Sequence, residues 1–180
     1  MTFGVGLLLT VVLPMVALLR ASLMGPGLAE RHHSHHDTYS VSSFLLRSVV
    51  VAMLFMAVLG VIFGWLCEVD AFAADSDVVV AFFAAFELMA FFMWFCMVRY
   101  RVVTYGDHMS VTPFVGPRVD VPYDAIECME WTSSSSLVGY QSVRVRSRGR
   151  RRVTLWGTID VDQVLMRIDR YDVLESRVYE

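Results

Sequence analysis

The chain has 180 residues, of which 56% are hydrophobic, and a formal net charge of −3 at pH 7. The hydrophobic fraction exceeds the roughly 45–50% typical of soluble proteins, and the excess lies before residue 99, which argues against an ordinary soluble domain. All 15 basic residues are Arg, and 12 of them follow residue 98, so the small net charge conceals a segregated distribution. This length suits a membrane anchor, residues 1–98, joined to one small domain, residues 99–180.

The first apolar run, Phe3–Leu19, has 17 uncharged residues, close to the lower limit of about 20 for a membrane-spanning helix. Pro14 lies inside it, and membrane helices tolerate proline. A cleaved signal peptide is the alternative, but no basic residue precedes the run and no small-residue cleavage site follows it. We therefore expect three membrane helices, with two as the alternative.

The second and third runs, Ser48–Leu66 and Val78–Val98, have 19 and 21 uncharged residues. Each contains small residues four positions apart, which lie on one helix face and allow close backbone approach. These are Gly60 and Gly64 in the second run, and Ala81 and Ala85 in the third. The pattern predicts a helical hairpin packed through these four residues.

The distribution of arginine predicts the orientation in the membrane. Three arginines lie in the loop 20–47 and two follow the third run at once, whereas the segment 67–77 has four acidic residues and no arginine. Because positive charge marks cytoplasmic segments, we expect an outside N-terminus, a cytoplasmic loop 20–47 and a cytoplasmic C-terminal domain in a multi-pass protein of the cell membrane.

Glu87 lies near the middle of the third run, where an ionisable side chain costs a few kcal/mol to insert. It is a candidate for a structural contact, including one in a homo-oligomer. It is also a candidate for transport of a proton or cation, although no second ionisable residue lies within the apolar runs.

The loop 20–47 contains four closely spaced histidines, His32, His33, His35 and His36. Imidazoles bind zinc, copper or nickel, but adjacent histidines do not all face one ion and no cysteine lies nearby to complete a ligand set. We expect a polar loop that gains charge below about pH 6.5 and no metal or cofactor. The three cysteines, Cys67, Cys96 and Cys128, are too widely spaced to suggest a disulfide framework.

After residue 98 the pattern changes to short β-rich segments separated by turn signals, followed by one helical segment. Strands are predicted at Arg99–Tyr105, His108–Pro113, Val119–Pro122, Ile126–Thr132, Ser142–Ser147 and Arg151–Trp156. A helix is predicted from Ile159 to Tyr171, with Asp160 and Gln163 at capping-box spacing. Six or seven strands and a C-terminal helix predict a bent antiparallel sheet closed by that helix.

Three segments resemble the pleckstrin-homology-like (PH-like) domains of small bacterial membrane proteins. They are Arg99-Tyr-Arg-Val-Val-Thr-Tyr directly after a spanning helix, Gly106-Asp-His-Met-Ser-Val-Thr, and Val121-Pro-Tyr-Asp-Ala-Ile126. The resemblance covers about 80 residues of the chain. It implies a mainly-β interaction domain of no assigned activity, and it brings no ligand-binding residues with it.

Six arginines fall within nine residues around a predicted hairpin turn, with no acidic residue among them: Arg144, Arg146, Arg148, Arg150, Arg151 and Arg152. Their mutual repulsion favours an anionic partner, either lipid headgroups or an acidic protein surface. Nucleic acid is disfavoured because no aromatic side chain interrupts the cluster. The alternative is a solvated face neutralised by nearby acids, namely Asp120, Asp124, Glu127 and Glu130.

The sequence contains no recognised nucleophile, phosphate-binding or zinc-protease motif. Asp107 directly precedes His108. Ser–His chemistry with the serine run 133–136 would need a carboxylate that orients the His108 imidazole, and we expect this adjacent position to be wrong for that role. We therefore expect a non-enzymatic membrane protein whose cytoplasmic module binds a headgroup or a membrane-associated protein. The alternative is a transport or membrane-complex subunit that uses Glu87 and the helical hairpin.

Overall fold

The structure, a computed structural model, describes residues 3–23, 37–132, 141–149 and 152–174. The chain divides into two compact units. One comprises Met1–Gly27 with Ser43–Met97, and the other comprises Leu28–Ser42 with Val98–Glu180.

The first unit is helical, with α1 at Phe3–Leu23, α2 at Ser43–Glu68 and α3 at Ser76–Arg99. All three helices are long and apolar enough to cross a membrane, which confirms the prediction of three such segments. Each helix extends beyond its uncharged run. Serine and arginine residues at the ends also belong to the helix, so hydrophobicity alone does not give the helix boundaries.

The connection between α2 and α3 is a tight turn. Asp70 adopts the left-handed conformation with φ of 57°, and the N–H of Ala71 donates to the carbonyl of Leu66 at 3.0 Å. Bonds of this kind satisfy the last carbonyls of a helix. On the other side, the Oδ1 of Asp75 accepts from the N–H of Asp77 at 2.8 Å, as a helix N-cap does.

The second unit contains two antiparallel sheets. Sheet A has the order β1-β2-β3-β4, with β1 at Asp37–Ser40, β2 at Arg101–Thr104, β3 at His108–Thr112 and β4 at Val119–Pro122. The turn between β2 and β3 lies at one end of sheet A. The loop between β3 and β4 lies at the opposite end, beside Arg101, the first residue of β2.

Strand β1 corrects the prediction that residues 20–47 are only a loop of the anchor. Asp37 pairs with Thr104 and Ser40 pairs with Arg101, so this segment is an edge strand of the β unit. The boundary between anchor and domain is consequently not a single point at residue 98. The four residues Asp-Thr-Tyr-Ser show no apolar alternation, and their partner strand is distant in sequence.

Sheet B consists of β5 at Ile126–Thr132, β6 at Ser142–Ser147 and β7 at Val153–Leu155, in the order β5-β6-β7. These strands match the predicted segments closely, although β7 is shorter. Helix α4, Val161–Ile168, follows and completes the predicted layout of a small antiparallel-sheet region with a C-terminal helix.

Helix α4 is shorter than predicted because both of its ends are fixed locally. The Oδ1 of Asp160 accepts from the N–H of Gln163 at 3.1 Å, which confirms the predicted N-cap. Asp169 adopts the left-handed conformation with φ of 51° and ends the helix. The buried apolar residues of the β unit include Val102, Met109, Val111, Val121, Met129, Val143, Val145, Leu155, Val164 and Leu165.

Candidate functional site

Strand β6 separates apolar and basic residues onto its two faces. Val143, Val145 and Ser147 are buried, whereas Arg144 and Arg146 are exposed. Successive side chains of a strand point to opposite faces, so the two arginines share the outer face of sheet B. This confirms the alternation that the sequence indicates for the β6 segment.

Arg152 is an exposed residue directly before β7. Val145–Val153 is the last pair of the β6–β7 ladder, so Arg146 and Arg152 are the residues next to that pair on the side of the turn. Like charges on neighbouring chain segments repel each other. We call Arg144, Arg146 and Arg152 the arginine face.

The arginine face has no carboxylate partner among the residues that the structure describes. Glu130 opposes Arg144 in the β5–β6 register, but the two side chains form no ion pair. The predicted neutralisation by nearby acids therefore does not extend to these three arginines in the described part of the chain.

The other arginines of the predicted cluster differ from these three. Arg148 lies in the turn after β6, and its Nε donates to the Oε1 of Glu127 at 3.0 Å. It is thus partly neutralised, and it lies in the turn between the two predicted strands. Arg150 and Arg151 lie outside the described residues.

Trp156, the residue directly after β7, is one that the sequence analysis did not single out. It follows β7 at an even spacing from Arg152 and Thr154, and 47% of its surface is exposed. The same alternation that identifies the arginines, applied to Arg-Val-Thr-Leu-Trp, would have placed the indole beside them.

The helical unit contains the second candidate, Glu87. Its side chain is fully buried, and neither carboxylate oxygen has a hydrogen-bond partner among the described residues. The indole Nε1 of Trp94, two helical turns along the same helix, is buried without a partner as well. Glu87 lies on the buried face of α3 with Val80, Phe83 and Ala84.

The predicted small-residue contacts are half correct. A Cβ at Gly60 would lie 2.9 Å from Thr10 Cγ2 and 3.0 Å from Phe83 Cβ, and one at Gly64 would lie 2.9 Å from Val80 Cγ2. Both glycines therefore lie where helices approach closely.

Ala81 and Ala85 do not belong to that contact. Ala85 is exposed and Ala81 is half-buried, whereas Ala84 is buried at 1% exposure. The buried positions of α3 lie one residue nearer the N-terminus than predicted, at Val80 and Ala84. Of the two, only Ala84 is small, so the predicted pair of small residues is absent from the buried face of α3.

The expectation for His108 is wrong. The Nδ1 of His108 lies 2.6 Å from the Oδ1 of Asp107, and the imidazole stacks on Tyr105 with ring centroids 4.5 Å apart. The turn before β3 lets the adjacent carboxylate reach the ring, and this hydrogen bond lowers the pKa of Asp107. The serine run 133–136 and the histidines His32, His33, His35 and His36 lie outside the described residues.

Comparison with protein-family models, with curated proteins and with solved structures found no match.

Proposed function

We propose that this chain is a non-enzymatic, multi-pass protein of the cell membrane that presents a PH-like interaction module at the cytoplasmic face. The N-terminus is outside, and the arginine face of the module binds an anionic partner. The partner that we favour is a lipid headgroup of the leaflet in which α3 ends.

The observation that carries this proposal is the exposure of Arg146 and Arg152, next to the last β6–β7 pair, without a carboxylate partner among the described residues. Guanidinium groups on neighbouring chain segments repel each other, and a phosphate that both contact relieves that repulsion through charge-assisted hydrogen bonds. Two such arginines at the end of a hairpin therefore suit an oxyanion.

Two features favour a headgroup over an acidic protein surface. β2 begins two residues after the end of α3, so the module has almost no linker. Trp156 is half-exposed directly after β7, four residues from Arg152, and aromatic and basic side chains together are typical of membrane interfaces.

Strand pairing supports the proposed topology. β1 precedes α2, β2 follows α3, and the two strands pair along their whole length. Paired strands lie on one side of a membrane, so the number of crossings between them must be even. Two crossings, by α2 and α3, satisfy this requirement and agree with the arginine distribution.

A lipid titration of the full chain in zwitterionic detergent micelles tests the proposal. Short-chain phosphatidylglycerol and phosphatidylcholine are added separately, and binding is followed by thermophoresis. We expect preferential binding of phosphatidylglycerol, which weakens at high salt. The variant R146S/R152S should lose about thirtyfold in affinity, at about 1 kcal/mol for each charge.

The matched control is R118S/R167S, which removes the same charge from arginines that pair with Asp120 and Asp37. This control should retain the preference. Equal binding of both lipids by the wild type, or equal losses in the two double variants, would contradict headgroup binding by this face. Capture of an acidic protein that depends on Arg146, without lipid preference, would instead identify the protein alternative.

The burial of Glu87 favours a second candidate function, a transport or membrane-complex subunit. Under this alternative the carboxylate must change its charge or bind a cation inside the bundle. Glu87→Gln should then abolish activity at unchanged membrane level, whereas the interaction-module proposal expects normal assembly and lipid preference in that variant.

A further inference from the structure

A short apolar loop lies at the end of sheet A that contains Arg101, the first residue of β2. Thr112, the last residue of β3, pairs with Arg101, and Val111 pairs with Val119 at the start of β4. The loop that joins β3 to β4 is therefore beside the first residue of β2, two residues after α3 ends. Its sequence, Pro113-Phe-Val-Gly-Pro117, has no charge.

Arg99, the last residue of α3, fixes this loop directly. One of its guanidinium nitrogens donates a hydrogen bond to the carbonyl oxygen of Gly116. Arginine at the end of a membrane helix lies at headgroup level. The loop that Arg99 holds is consequently at the same level.

Aromatic packing makes the loop part of a rigid surface. The ring of Phe114 stacks on Tyr100 with centroids 4.5 Å apart and lies 5.8 Å from the indole of Trp156. Tyr100 is fully buried, while 72% of Val115 and 47% of Trp156 are exposed. Two large apolar side chains therefore project from a supported base.

We propose that Phe114, Val115 and Trp156 form an interfacial wedge that inserts into the headgroup–acyl boundary of the leaflet in which α3 ends. The occupant of this surface is the bilayer itself, because the loop is continuous with the end of a membrane-spanning helix. The inference depends on the proposed membrane location, but not on the binding of anionic lipid.

The backbone of the loop suits this environment. Pro113 and Pro117 have no N–H to satisfy, and Arg99 already satisfies the carbonyl of Gly116. Unsatisfied backbone groups are costly near hydrocarbon, so these features lower the cost of insertion. Tryptophan has its preferred position at this boundary, with the ring in the apolar region and the indole N–H toward the headgroups.

The wedge also explains how the arginine face reaches the headgroups. Trp156 directly follows β7 and Arg152 directly precedes it, so these two residues flank one three-residue strand. Insertion of the indole brings this strand toward the membrane surface. Charge attraction to the headgroups is effective within a Debye length of about 8–10 Å, so this approach favours binding by the arginine face.

Site-directed spin labelling of the full chain tests the wedge in neutral phosphatidylcholine bilayers. The three cysteines are replaced (C67A, C96A and C128S), and a label is placed in turn at V115C, G106C and L88C. Gly106 is the matched control, because it lies at the opposite end of sheet A and an added side chain there meets no atom within 4 Å. Leu88 is an exposed residue of α3 and reports the membrane interior.

We expect the V115C label to be severalfold more accessible to oxygen than to a water-soluble nickel complex, as the L88C label should be, and the G106C label to show the reverse. A V115C label as water-accessible as that of G106C, beside a buried L88C label, would overturn the wedge alone. A water-accessible L88C label would overturn the membrane anchor, and with it the wedge. If the V115C label is buried but the lipid titration shows no preference for phosphatidylglycerol, only the proposed headgroup binding is overturned.

A second measurement applies if the cysteine-free chain does not fold. Tryptophan fluorescence of the wild type and of W156F is quenched by lipids that bear a nitroxide near the headgroup. The difference between the two fluorescence signals comes from Trp156. We expect lipids labelled near the headgroup to quench this difference signal strongly. A difference signal insensitive to these lipids would overturn the wedge.

Discussion

The hydroxyl of Tyr100 accepts a hydrogen bond from the backbone N–H of Trp156 at 2.9 Å. Tyr100 is the first residue after α3, and Trp156 is the first residue after β7. The same hydroxyl lies 3.4 Å from the carbonyl oxygen of Thr154, to which it donates. One buried phenol thus connects the start of sheet A to the last strand of sheet B, and it holds Trp156 in the position that the wedge requires.

We expect Tyr100→Phe to lower the free energy of unfolding of the β unit by about 1–3 kcal/mol, because it leaves the Trp156 N–H and the Thr154 carbonyl without their buried partner. The ring and its stacking on Phe114 remain. Thermal unfolding in detergent, followed by near-ultraviolet circular dichroism, measures the change. Tyr171→Phe is the control, since Tyr171 is exposed and should be neutral.

The same residue makes the β unit sensitive to alkali. Burial raises the pKa of Tyr100 from 10.0 to about 12, and that of Tyr123 also to about 12. A phenol whose pKa is raised by folding stabilises the protein fully below pH 10, and this contribution is lost as the pH rises from 10 through 12. Unfolding temperatures should fall over this range, and less steeply in Tyr100→Phe. Parallel curves for the two proteins would contradict the role of Tyr100.

Gly60 should not tolerate even one added methyl group. In Gly60→Ala the new Cβ lies 2.9 Å from Thr10 and 3.0 Å from Phe83, so the helices must separate. Overpacking of this kind costs about 1–3 kcal/mol. Gly4→Ala is the matched control in a membrane helix, because an added Cβ there meets nothing within 4 Å. Comparable thermal stability of the two variants in micelles would show that the close approach at Gly60 is absent.

Residues 99–180 alone should form an unstable domain, because they lack β1. The fragment leaves the edge of β2 unpaired and removes Asp37, the ion-pair partner of Arg167. A chain that begins at residue 37, and in which a short glycine-rich turn joins residue 42 to residue 99 in place of the helical hairpin, should be soluble and melt at a higher temperature than the fragment. The control has residues 37–40 replaced by glycine and serine. Equal melting of all three chains would count against β1 as a structural strand.

The sequence predicts those elements whose pattern is local. The alternation of valine and arginine in 142–147 identifies both faces of β6, and Asp160 with Gln163 identifies the start of α4. β1 escapes such reasoning because four polar residues acquire their structure from a partner strand some sixty positions away. The sequence also does not show which side of α3 is buried, since Ala81 and Ala84 are the same residue type but differ in burial.

The residues of the candidate site also divide into those that a local sequence pattern identifies and those that only the fold brings together. The sequence identifies the cluster that contains Arg144 and Arg146, because its charge density is visible without a fold. It does not show that Arg148 pairs with Glu127 while Arg152 lies next to the last β6–β7 pair, since strand register decides both. The proximity of Phe114, Trp156 and Arg99 depends on three segments that meet only in the folded protein.

Native mass spectrometry tests the central claim most directly, by counting the lipids that the full chain retains from micelles with equimolar phosphatidylglycerol and phosphatidylcholine. We predict that the wild type and R118S/R167S retain more phosphatidylglycerol than phosphatidylcholine, and that R146S/R152S retains the two lipids equally. An undiminished preference for phosphatidylglycerol in R146S/R152S would contradict the account.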